Sequence, residues 1–130
     1  MNDRKHRVLY IDDDRDYLDN IRVILESGDI EMIEATGAEE GLAVFLDQKP
    51  DLVLVDLMME EIDSGINFVR ELRIHHQDVP VFLLSSVGDS LGLTQDYTEL
   101  GLAGFFMKPV DGKNLLNVIN SKLNEQRSEL

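Results

Sequence analysis

Five side chains of this sequence stand where short apolar runs end. Asp12 and Asp13 follow Val8-Leu9-Tyr10-Ile11, and Asp56 follows Leu52-Val53-Leu54-Val55. Ser85 follows Val81-Phe82-Leu83-Leu84, and Lys108 closes the run that ends in Phe105-Phe106-Met107. A short apolar run bounded by polar residues suits a strand buried on both faces. Such a strand carries its terminal residue to the carboxyl edge of the sheet, where open α/β sheets keep their ligand crevice. Three carboxylates gathered at one edge repel each other, and a hard divalent cation with oxygen ligands, such as Mg²⁺, relieves that repulsion. The residue types point to an acidic metal site.

Alternating elements have to position these groups. Residues 7–12 read as the first strand. Asp14 can cap a helix to about Glu26, with Leu18, Ile21, Val23, Ile24 and Leu25 as its apolar stripe and Ser27-Gly28 as its stop. Residues 30–35 form a strand of mixed polarity, which suits an edge. Gly37 leads into a helix with Ala38, Leu42, Phe45 and Leu46 on one face, ended before Pro50. The apolar strand 52–55 reads as central. Residues 66–76 form a third helix with Ile66, Val69 and Leu72 inward, followed by strand 81–84. Residues 88–100 form a weaker helix containing Gly92, Thr94 and Thr98. Strand 103–107 and a last helix over 111–125, with Leu115, Leu116, Ile119 and Leu123 inward, complete the chain, and the polar tail reads as a fraying end. Strict alternation of strand and helix predicts a doubly wound parallel sheet covered on both faces.

At 130 residues the chain is expected to form one domain over 1–130, with a core at about 6–125 and a short polar tail over 126–130. Its net charge of −14 argues against direct binding to nucleic acid or to an anionic membrane surface. No apolar run is long enough to span a bilayer, and Met1-Asn2-Asp3-Arg4 is not followed by a signal-peptide core. The absence of cysteine removes disulfide and thiol chemistry and fits a cytoplasmic protein.

Four segments in order, Tyr10-Ile11-Asp12-Asp13-Asp14, Val55-Asp56-Leu57-Met58-Met59, Pro80-Val81-Phe82-Leu83-Leu84-Ser85 and Phe105-Phe106-Met107-Lys108-Pro109, carry a resemblance. Over essentially its whole length the chain resembles the receiver domain of two-component response regulators. The resemblance implies a flavodoxin-like fold with strand order 2-1-3-4-5. It implies that Asp56 is the nucleophile that takes a phosphoryl group from phosphohistidine. Asp13 would bind Mg²⁺ directly and Asp12 mostly through water, with Asp56 and the backbone carbonyl of Met58 as further ligands. Lys108 would stabilise the transferring phosphoryl group, and Ser85 would donate its hydroxyl to a phosphoryl oxygen. Phe105 occupies the family's aromatic switch position, and the family has a cis peptide at Lys108-Pro109. The implied partners are a sensor histidine kinase or histidine phosphotransfer protein and a downstream protein. With no DNA-binding helices after the last helix, a stand-alone receiver is expected, with its oligomeric state, a dimer included, left open.

The sequence departs from the family after Asp56, where Glu60-Glu61 replaces a Pro-Gly pair and one residue near Ser64 is extra. Met58 and Val87 are both apolar where the family tunes water access, so slow self-dephosphorylation is expected. Plainer roles suit several neighbours. Asp14, Asp16 and Asp19 read as an acidic helix start, Ser86 as a cap and Phe106 as core, while Phe105 is open between switch and packing. His6, His75 and His76 receive no role. Two competing readings remain. One is a phosphohydrolase of the haloacid dehalogenase type using Asp12, Asp14, Ser85, Lys108 and Asp111. The other is a pseudo-receiver that keeps the fold without phosphorylation.

Overall fold

Five parallel strands form the sheet in the order β2-β1-β3-β4-β5. They are β1 (Arg7–Ile11), β2 (Glu31–Ala35), β3 (Leu52–Asp56), β4 (Val81–Ser85) and β5 (Gly104–Met107). The helices are α1 (Arg15–Ser27), α2 (Ala38–Gln48), α3 (Ser64–His75) and, last in the chain, α4 (Gly112–Ser128). The computed structural model describes residues 5–57, 64–76, 78–86 and 100–128, without the side chains of 64 and 126–128. The helix expected over 88–100 and the Glu60-Glu61 loop lie outside the described residues, Leu100 excepted.

The flavodoxin-like order expected from the sequence is the observed one, and its cause is visible strand by strand. Every residue of β3 and β4 is buried, as continuous apolar runs require when helices cover both faces of a sheet. The polar strand β2 takes the edge beside β1. Successive residues face opposite layers. Val8, Tyr10, Leu54 and Phe106 pack with Leu18, Ile21, Leu115 and Ile119 of α1 and α4. Leu9, Ile11, Val53, Val55 and Leu83 pack with Phe45 of α2 and Ile66, Val69 and Leu72 of α3. Each fully buried Leu or Ile contributes roughly 1.5–3 kcal/mol.

Two apolar residues assigned to helix stripes lie outside them. Val23 is 68 % exposed and Leu46 61 % exposed. Neither sits on the narrow arc that touches the sheet. In α1 the buried positions are Leu18, Ile21 and Leu25, spaced by three and four residues, and Val23 projects away from them. The last helix runs on to Ser128, so most of the stretch read as a polar tail continues it.

Local signals set the ends of the elements. The Asp14 carboxylate accepts from the backbone N–H groups of Asp16 and Tyr17, which caps α1 as its plainer reading held. Glu34 of β2 accepts hydrogen bonds from Arg15 (2.7 and 2.6 Å) and Arg22 (2.7 Å) of α1, tying the edge strand to the helix above it. The Arg73 guanidinium donates to the carbonyls of Leu100, His76 and Val79 at 2.8, 3.0 and 2.8 Å, joining the end of α3 to the chain that enters β4 and β5.

Candidate functional site

Register brings the ends of four strands to one edge. Ile11 pairs with Val55, Asp56 with Leu84 and Ser85 with Met107. Asp12 follows β1 directly, Asp56 and Ser85 end their strands, and Lys108 follows β5. The backbone N–H of Lys108 donates to the Ser85 carbonyl at 2.8 Å, which fixes the end of β5 against β4. The Lys108–Pro109 peptide is cis, as the family resemblance implied.

The side chains converge. Oxygens of Asp12, Asp13 and Asp56 lie within 4.8 Å of one another, with Asp12 and Asp56 buried and Asp13 exposed. Lys108 Nζ is 3.1 Å from Asp56 Oδ1 and 3.3 Å from Asp12 Oδ2, so one ammonium bridges the two buried carboxylates. The same ammonium lies 4.1 Å from the centre of the Tyr17 ring, a cation–π contact that supports it from α1. Asp12 Oδ1 accepts from the Asp14 N–H at 3.0 Å, and Asp12 Oδ2 accepts from the Tyr10 hydroxyl. The Ser85 hydroxyl, buried at the same edge, donates to the Met107 thioether at 3.4 Å.

Charge and burial perturb these groups in a consistent way. Burial, reinforced by the Asp12 charge and opposed by Lys108, pushes the Asp56 carboxyl up to about 6. Burial lowers the proton affinity of Lys108, but Asp12 and Asp56 outweigh it and hold the ammonium charged. Burial and the adjacent Asp12 raise Tyr10, so its phenol stays protonated and remains a donor. Three carboxylates against one ammonium leave the edge negative. An all-oxygen set with an exposed ligand suits Mg²⁺, which keeps several waters and takes one or two carboxylates directly.

A stability effect follows from Asp56. Its folded value of about 6 exceeds the ordinary 3.8, so its ionisation opposes folding at pH well above 6. That cost fades as the pH falls through 6 and is gone below 3.8. Asp56→Asn is expected to stabilise the metal-free protein by ~1–2 kcal/mol near pH 7.5. Thermal unfolding from pH 7.5 to 4 should show this advantage shrinking; an advantage that holds steady across the range would contradict it.

The structure brings together Asp12, Asp13, Asp56 and Lys108, with Ser85 on the adjoining strand end. Met58 and Val87 lie outside the described residues. Phe105 and Phe106 face opposite ways: Phe106 packs in the core against Phe82, and Phe105 is 48 % exposed. The hydrolase alternative needs Asp14 and Asp111 as chemical groups, yet Asp14 caps α1 and Asp111 Oδ1 accepts from the N–H of Lys113 at the start of α4. His76 packs its ring 4.8 Å from Phe45. Sequence reading missed Tyr10, Tyr17 and Gly65. For Tyr10 there was a signal, a hydroxyl two residues before an aspartate and therefore on the same strand face.

A doubly wound sheet with an acidic cluster and a lysine at its carboxyl edge defines the receiver class of flavodoxin-like domains. The chain belongs to the response regulator receiver domain family of two-component systems, whose model matches residues 8–120. It is similar to the probable transcriptional regulator ycf27 of Pyropia yezoensis, with 34 % identity over 95 % of this chain and 49 % of that protein. The phosphate regulon transcriptional regulatory protein PhoB of Pseudomonas aeruginosa is 32 % identical over 84 % of this chain and 48 % of its own length. The chain thus spans about half the length of these relatives. Among solved structures, a CheY-like response regulator receiver domain protein from Methanospirillum hungatei aligns with a TM-score of 0.88 and 28 % identity, covering 98 % of this chain and 100 % of that one. No helix among the described residues is long and apolar enough to cross a membrane.

Proposed function

We propose that the chain is the phosphoacceptor of a phosphorelay, taking a phosphoryl group onto Asp56 and changing its affinity for a protein partner as a result. The observation that supports this most is Lys108 held 3.1 Å from Asp56 beside two further carboxylates. An Asp56 carboxylate oxygen attacks phosphorus, the bond from phosphorus to the donor's imidazole nitrogen breaks, and its electron pair returns to the imidazole. The product is an acyl phosphate on Asp56.

Asp12, Asp13 and Asp56 would hold Mg²⁺, with the Met58 carbonyl as a further ligand carried by the family resemblance. Bound there, the ion would neutralise negative charge on the transferring phosphoryl oxygens. Lys108 places a second positive charge on the same oxygens, and the Ser85 hydroxyl donates to one of them. Phe105, half-exposed on β5 two residues before the partner of Ser85, would register the change as the family's switch aromatic. The donor is a sensor histidine kinase or a histidine phosphotransfer protein, and the output is a protein contact in the cytoplasm rather than direct binding of nucleic acid. The chain catalyses its own phosphorylation and a slow loss of phosphate, not turnover of a separate substrate.

The test is the intact mass after incubation with Mg²⁺ and a small acyl-phosphate donor, for wild type and Asp56→Asn. A gain of one phosphoryl group in wild type alone is expected. Equal gain in both proteins would remove Asp56 as acceptor and revive the hydrolase reading. No gain in either, with a cognate phosphohistidine donor also failing, would favour a pseudo-receiver.

A further inference from the structure

We infer that Tyr10 is a positioning residue for Asp12, its hydroxyl fixing the buried carboxylate in the orientation from which it serves the divalent-cation site. The inference rests on the metal-dependent reading proposed above. Tyr10 puts a phenol among the aliphatic Val8, Leu9 and Ile11 of β1, and its ring is fully buried in the layer shared with α1 and α4. A buried phenol needs an acceptor, and a backbone carbonyl would satisfy it. Here the acceptor is instead Asp12 Oδ2, two residues along the same face of the strand.

Asp12 is wholly buried and depends on protein donors. The Asp14 N–H holds Oδ1 at 3.0 Å, and the Tyr10 hydroxyl holds Oδ2. Both donors are rigid: one is backbone at the start of α1, the other stands on a ring locked in the core. With one oxygen fixed by each, the plane of the carboxylate is set. Lys108 also reaches Oδ2, but from a long stem and while shared with Asp56. It neutralises charge without fixing orientation. Groups that orient a metal ligand from behind change metal affinity by about 10–100-fold when removed. The Asp14 N–H survives the loss of Tyr10, so the lower end of that range applies.

The test is calorimetric titration of Mg²⁺ into the full chain as wild type, Tyr10→Phe, Asp12→Asn and the double variant. Tyr10→Phe keeps the ring and should bind Mg²⁺ about tenfold more weakly, with far-UV circular dichroism unchanged. In the Asp12→Asn background the same substitution should have little further effect, because the carboxylate it orients is gone. A purely structural tyrosine would act equally in both backgrounds, and that result, or an unchanged affinity in the single variant, overturns the inference. Should Tyr10→Phe fail to fold, wild type labelled with 3-fluorotyrosine decides the matter. Its Tyr10 resonance, assigned with Tyr17→Phe and Tyr97→Phe, is expected to shift with the calorimetric Kd, and a resonance unmoved at saturating Mg²⁺ counts against it. Wild type that binds no Mg²⁺ overturns the reading of the site itself, whereas equal binding by wild type and Tyr10→Phe overturns the role of Tyr10 alone.

Discussion

Lys108→Met is expected to slow phosphorylation by a small acyl-phosphate donor about 10²–10³-fold at saturating Mg²⁺, the range found when a preorganised donor is removed from a developing oxyanion. The ammonium bridges Asp56 and Asp12, at 3.1 and 3.3 Å, and rests over the Tyr17 ring. On the reading proposed above, that places it beside the oxygens on which charge would accumulate. Methionine preserves the length and apolar stem but leaves two buried carboxylates facing each other without their cation. The metal-free variant should consequently lose stability at pH 7.5 and regain part of it as the pH falls and Asp56 takes up a proton. Arginine should not restore the rate, because its planar fork cannot occupy the place of a point charge between two oxygens. Time courses of intact mass at several Mg²⁺ concentrations give the rate. A rate within threefold of wild type would remove Lys108 from the chemistry.

Gly65→Ala is expected to damage the fold and the site together. Its Cβ would overlap the carbonyl oxygen of Asp56 and lie 2.8 Å from the Leu57 carbonyl oxygen and 2.9 Å from its Cα. These are backbone atoms and cannot rotate away as a side-chain tip would. The Gly65 N–H also donates to the Leu57 carbonyl at 3.2 Å, so the start of α3 is fastened to the end of β3. Relief of the overlap has to push α3 from the sheet or shift the strand end that carries Asp56. The loss should be ~3 kcal/mol or more, which lowers Tm by roughly 10 °C in a domain of this size. Mg²⁺ affinity and phosphorylation rate should fall with it even at temperatures where the variant stays folded. Tm within 2 °C of wild type would show that the junction yields more easily than its packing implies.

The contrast between these two residues explains what the sequence makes legible. Lys108 announces itself, because it ends an apolar run and precedes proline. The strands were readable for the same reason: β3 and β4 are apolar without interruption, and only burial on both faces accounts for that. Their order followed from resemblance and not from pattern, since no periodicity tells which strands are neighbours. Gly65 drew no role from the sequence because its constraint is tertiary, a close approach between α3 and β3. Val23 and Leu46 erred in the opposite direction. Apolar type alone placed them inward, but a helix lying on a sheet has a contact arc too narrow to hold every apolar neighbour. Tyr10 was counted among the apolar strand residues, which is true of its ring and misses its hydroxyl.

The bond between Ser85 and Met107 has a mechanical consequence. A thioether is among the weakest acceptors a side chain offers. On the reading proposed here, a phosphoryl oxygen arriving on Asp56 competes for the Ser85 hydroxyl against that sulfur, its acceptor among the described residues. The hydroxyl can turn toward the new charge without breaking any backbone ladder, and the latch released is the Met107 side chain. Met107 is half-exposed and shares its side of β5 with Phe105, so the far end of the latch lies on the outer surface of the molecule. On that reading, one rotation about a serine bond would free a side chain on the outer surface of β5, and the signal would travel no further than the width of one strand.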